Sequence, residues 1–150
     1  MRAISLWQPW ASLCCIPHPN DPKRSVKGYE TRSWSTSYRG PLLIHAALRF
    51  TRGEICFCKH VATINESLKR AGYKTLDDIP RGAIIGQVEL IGCHPAMAVY
   101  PEIDRYAMDM GHYDHGRFAW EIVNPIMFEE PIPWKGQQGF FDVNLKTPTP

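Results

Sequence analysis

Between Lys23 and Arg52 the chain nearly lacks acid: Glu30 stands alone against Lys23, Arg24, Lys27, Arg32, Arg39, Arg49 and Arg52. That segment carries a net +6, and the rest, with ten basic and fourteen acidic residues, a net −4, although the whole 150-residue chain is only +2. The asymmetry predicts a basic face that attracts anions; a charge run alone also fits a solvated cationic surface. No apolar run approaches the about 20 residues of a membrane span, and the opening Met1 to Pro9 has no apolar core before a small-residue cleavage site. The expectation is a soluble, intracellular, cytoplasmic protein with no membrane partner. The five cysteines, Cys14, Cys15, Cys56, Cys58 and Cys93, are odd in number and include an adjacent pair. This excludes a secreted disulfide framework and fits a reducing compartment. There is no internal repeat, low-complexity tract or long linker, so one domain over residues 1–150 is expected.

What is present is a set of short strands punctuated by turns. Ala3 to Leu6 alternates like a strand, and Pro9 stands where a helix begins, continuing through Cys14. Tyr29–Trp34 and Pro41–Ala46 read as strands joined by a Ser/Thr/Tyr/Arg/Gly connection. Thr51-Arg52-Gly53-Glu54 is a capping box, opening one helix that carries Ile55, Cys58, Val61, Ala62, Leu68 and Ala71 on a stripe and ends at Gly72. Gly82–Gly92 reads as a central strand in which Gly86 marks a bulge or a close backbone approach. Phe118–Phe128, interrupted at Asn124-Pro125, and Phe140–Val143 complete the set. The pattern predicts an α+β fold: a small β-barrel or tightly curled sheet with surrounding helices.

Strand alternation turns Glu30, Arg32 and Trp34 to one face and Tyr29, Thr31 and Ser33 to the other, with Lys27 in the turn just before. A carboxylate, a guanidinium and an indole on one surface suit a ligand with phosphate and base. Trp7, Trp10 and Trp34 offer stacking surfaces if exposed. Trp10 and Trp120 read as core residues, since indoles are usually largely buried.

Several motifs together resemble the ASCH domain family: Trp7-Gln8-Pro9-Trp10-Ala11, Lys27-x-x-Glu30-x-Arg32-Ser33-Trp34, Tyr38-Arg39-Gly40-Pro41-Leu42-Leu43-Ile44-His45-Ala46 and Gly82-Ala83-Ile84-Ile85-Gly86. The likeness runs from Ile4 to about Val143. It implies a PUA-like β-barrel around a cleft, in a superfamily associated with RNA. The family signature Gly-x-Lys-x-x-Glu-x-Arg maps onto Lys27, Glu30 and Arg32, with Ser25 in place of the leading glycine. Some members resemble amidohydrolases of N4-acetylcytidine that use a lysine and a threonine where this chain has Glu30.

The expected ligand is RNA, another nucleic acid or a nucleotide, bound by Lys27, Glu30, Arg32, Trp34, Arg39, Trp7, Gln8, Pro9 and His45. His45 also reads as a satisfied core histidine. If the protein is an enzyme, Lys27 and Glu30 are its catalytic residues, in an amidohydrolase of modified cytidine or a ribonuclease. A protein-interaction module in a transcription or RNA-processing assembly is a further alternative. Cys56, Cys58 and His60 lie within the capped helix, where positions two apart face away from each other, and His112 to His115 sits in a glycine-flanked surface loop. No metal site and no cofactor are expected.

Overall fold

The computed structural model describes residues 1–145. Six strands form one mixed sheet: β1 (Arg2–Leu6), β2 (Arg24–Arg32), β3 (Gly40–Ala46), β4 (Ala83–Pro95), β5 (Phe118–Pro133) and β6 (Phe140–Asp142). Their spatial order is β2-β5-β4-β3-β1-β6, and every neighbouring pair is antiparallel except β1 with β3. The architecture is α+β and PUA-like. Backbone hydrogen bonds do not close the sheet, but its two ends curl together through aromatic side chains. Trp34, just past β2, meets Phe140 of β6 at 5.5 Å and Trp120 of β5 at 4.7 Å. Aromatic pairs of this edge-to-face kind add to their area burial, so the curl rests on packing where a full barrel would use a strand ladder.

The curl follows from its irregularities. Gly86 lies where a methyl group would collide with Ile126 O and Cys15 Sγ, so β4 can pass close to both β5 and the first helix only with glycine there. The expected interruption at Asn124-Pro125 is instead a point of positive φ at Asn124 within an unbroken β5. Register slips between β4 and β5 add bend and twist. Inside the curl lie Ile4, Leu6, Leu42, Ile44, Ile85, Val88, Leu90, Trp120 and Ile122. Each buried aliphatic side chain contributes about 1.5–3 kcal/mol.

Helix α1 (Trp10–Cys15) plugs one end of the curl. The long helix expected after the capping box is two helices, α2 (Arg52–His60) and α3 (Ala62–Arg70), broken at Val61 in extended conformation. The side-chain amide of Asn65 donates to Cys58 O at 3.0 Å, which meets a carbonyl that the break leaves without a helical donor. The turn lets Cys58 of α2 and Ile64 and Leu68 of α3 all reach one cluster with Leu13 and Met110. The capping box forms as expected, and Gly72 takes the positive φ of a helix terminus. Short helices α4 (Ala96–Val99) and α5 (Arg105–Asp109) lie between β4 and β5. Among the described residues no helix is long and apolar enough to cross a membrane.

Candidate ligand-binding cleft

A half-open cleft of about 410 Å³ lies between the carboxyl end of β1, β2, α2 and the segment following α5. Its floor comes from β2. In a regular strand Lys27 and Glu30, an odd number of residues apart, face opposite ways. Here Gly28 has φ +75°, and β2 advances five residues from Arg24 to Tyr29 while its partner β5 advances two. This bulge brings Lys27 Nζ to 3.2 Å from Glu30 Oε1. Lys27 is therefore a strand residue, 2% exposed, and not the turn residue the sequence suggests. Its Nζ also donates to Tyr29 O at 3.0 Å.

Arg32 completes the floor. Its Nη2 donates to Ser5 O at 3.3 Å, tying β2 to β1. Its Nε sits 3.0 Å from Glu30 Oε2 as an ion pair outside hydrogen-bond alignment, and makes no hydrogen bond among the described residues. A guanidinium has five N–H donors; most of Arg32's remain uncommitted. Glu30 thus holds one cation at each oxygen, and Arg32 keeps donors for a ligand.

The walls are aromatic. Trp7 is 48% exposed and carries the Arg49 guanidinium over its ring at 3.7 Å. Trp10 packs edge-to-face on Phe57 at 5.5 Å, and Trp34, itself packed edge-to-face on Trp120 and Phe140, also lines the cleft. Opposite, the loop after α5 is pinned to β2. His112 N donates to Thr31 Oγ1, while Arg117 donates to His112 O and Thr31 O. Asp104 caps α5 by accepting from Ala107 N and also contacts His18 and Arg24. Burial raises its carboxyl, but Ala107, His18 and Arg24 outweigh that and hold it below the ordinary range.

Several expected residues lie elsewhere. Gln8 is fully buried: its oxygen accepts from Ser12 N, its nitrogen donates to Ser12 Oγ and Pro80 O, and no hydrogen-bonding capacity is directed at the cleft. It acts as a cap for α1 and fixes the turn that carries Trp7 and Trp10. Pro9 is buried at that helix start, following a cis peptide bond. His45 is buried behind β1, with Nδ1 2.9 Å from Ser5 Oγ and Nε2 2.6 Å from Trp134 O. It is the satisfied core histidine. Arg39 is exposed and folds back on Thr36 O and Tyr38 O of its own loop. The +6 segment is not one patch: Lys27 and Arg32 line the cleft, Arg49 stands at its rim, and Arg24 pairs with Asp104.

Trp10, read from the sequence both as a stacking surface and as a core residue, lines the cleft while half-buried against the core; sequence reasoning missed Phe57, Thr31, His112 and Arg117, which line it too. Phe57 had a signal, being a large apolar residue off the helical stripe of Ile55 and Cys58. The His112 loop had none, because its approach to β2 is set by chain folding alone.

The profile of the ASCH domain matches residues 21–132, which include β2 with the cleft floor and the loop that walls it. The chain belongs to the ASCH domain family. Among solved structures, it is similar to a point mutant of the ZmASCH protein from Zymomonas mobilis, with a TM-score of 0.51 and 13% identity over 95% of this chain and 89% of that one. At that identity the likeness is one of fold. None of the curated proteins compared matches the chain. Lys27, Glu30 and Arg32 lie within the matched residues and are joined in one ion-pair chain at the floor of the cleft.

Proposed function

We propose that the chain is an RNA-binding module that holds one nucleotide of a single strand, or a free nucleotide, in this cleft. The observation that carries the reading is Arg32: a guanidinium with uncommitted donors, braced by Glu30 and Ser5 O, at the base of walls made by Trp7, Trp10 and Trp34. Phosphate suits the guanidinium and a base suits the indoles. The volume, about 410 Å³, lies within the range of small-ligand sites. Lys27 adds positive potential from below, while its contacts with Glu30 and Tyr29 O support binding over nucleophilic attack.

The test is fluorescence anisotropy with random-sequence RNA eight-mers over a series of KCl concentrations, comparing the unaltered chain with Arg32→Gln. Loss of a charge-assisted contact of about 1.5–3 kcal/mol predicts at least a roughly tenfold weaker affinity. The logarithmic salt slope should flatten by about 0.7, the value for one single-strand phosphate contact. Equal affinity and slope in the two proteins would remove the cleft from RNA binding.

A further inference from the structure

On the far side of α2 lies a second, smaller hollow of about 130 Å³, where Lys59, Lys69 and Lys74 surround a floor that includes Leu68, Tyr73 and Ile79. No carboxylate lines it, and none of the three exposed lysines forms an ion pair among the described residues. Asp78, four residues beyond Lys74, is committed to the backbone, accepting from Lys74 N and Thr75 N. The lining is therefore cationic, with the Asp78 carboxylate close by but held on the backbone of Lys74 and Thr75 and not paired with a lysine ammonium. Solvated lysines scattered singly need no explanation, but three converging on one concavity favour an anion.

α2 is the shared wall. Phe57 lines the aromatic cleft and Lys59 lines the hollow. Two residues apart on a helix, they point about 200° apart. A strand leaving the cleft over the exposed Phe57 reaches Lys59 after crossing one helix, a width of about 10–12 Å. At about 3.4 Å per stacked nucleotide, that is three or four phosphates.

We propose that this hollow holds the backbone phosphates of nucleotides flanking the one in the cleft, so that a single strand crosses α2. The proposal rests on the RNA reading of the cleft and adds a length requirement to it. Lysine point charges would grip phosphate without reading sequence, leaving base contact to the aromatic cleft.

The test uses the full chain and a Lys59→Ala, Lys69→Ala, Lys74→Ala triple variant, with thermal melting to check folding. The probes are the four ribonucleoside 5′-monophosphates, followed by tryptophan fluorescence, and the random RNA eight-mers. The unaltered chain should gain affinity with RNA length up to about five nucleotides and then level off. The triple variant should bind eight-mers at least about tenfold more weakly at low salt, with a slope flatter by about 2, and bind the monophosphates as before. Unchanged eight-mer binding in the triple variant, with binding lost in Arg32→Gln, overturns the hollow and leaves the cleft reading standing. Equal weakening of the monophosphates overturns it too, since the lysines would then act through the general field. If neither variant weakens the eight-mer, the cleft reading falls and takes the hollow with it.

Discussion

Lys27 and Glu30 form an ion pair at 3.2 Å from positions that a regular strand would turn to opposite faces. Gly28, with φ +75°, supplies the extra turn. The Lys27-x-x-Glu30-x-Arg32 spacing thereby becomes a contact: the bulge places the lysine under the glutamate, and ordinary alternation places Arg32 on the glutamate's other oxygen.

Gly28→Ala tests the bulge. The added methyl would meet only Ala107 Cβ at 3.9 Å, so crowding is not the problem and the cost is backbone strain. A non-glycine residue in this region loses about 1–2 kcal/mol. The urea midpoint should fall accordingly with the slope unchanged. A variant as stable as the parent would show that the positive φ is not required.

Removing Glu30 should be costly because it strands a buried ammonium. Glu30→Ala is expected to lose about 3–5 kcal/mol, the range for breaking one partner out of a buried pair. Glu30→Gln should lose less, since its carbonyl still accepts from Lys27. Chemical denaturation of the two variants gives the comparison, and equal losses would show that the carboxylate charge, and not an accepting oxygen at this position, carries the stability.

Trp7→Ala separates binding from folding. The indole is half exposed and packs on the Arg49 guanidinium outside the main core, so the melting temperature should change little. RNA affinity should drop by about 1–3 kcal/mol, the worth of one stacked base. Retained affinity in anisotropy titrations would assign the stacking to Trp10 or Trp34 instead.

Acid should destabilise the fold in a defined window. Burial raises the Glu54 carboxyl, but the Thr51 amide and hydroxyl and Arg49 outweigh this and hold it below its ordinary value; Asp104 is lowered in the same sense by Ala107, His18 and Arg24. A depressed folded-state pKa contributes stability above the unfolded value, near pH 4, and loses it as pH falls through the folded one. Melting temperature should therefore decline below about pH 4. Thr51→Ala should lessen the decline, because Glu54 then titrates closer to its unfolded value. An equal acid slope in Thr51→Ala would exclude the capping box as a contributor.

Much of this was legible in one sequence where local chemistry decides the outcome. The capping box at Thr51, the glycine terminus at Gly72 and the close approach at Gly86 follow from what a hydroxyl, a carboxylate or a missing Cβ can do within a few residues. The strands formed where β-branched and apolar residues alternate between turn signals. Glu30 and Arg32 sharing a face also needed nothing beyond strand period. Legibility failed at Val61, where the chain carries no proline or glycine and leaves helix because Cys58 and Ile64 are both drawn into the same core.

The amino-acid order by itself determined the charged triad of Lys27, Glu30 and Arg32, the indoles that accompany it and the α+β element set, because those depend on residue type and short-range period. Only the tertiary structure decided which of the candidates meet. It buried Gln8 in the brace beneath the Trp7 turn and sent His45 behind β1, and it brought His112 and Arg117 over β2 from more than eighty residues away. Those outcomes depend on how the sheet curls and where a distant loop docks. Such long-range packing leaves no periodic trace in the chain.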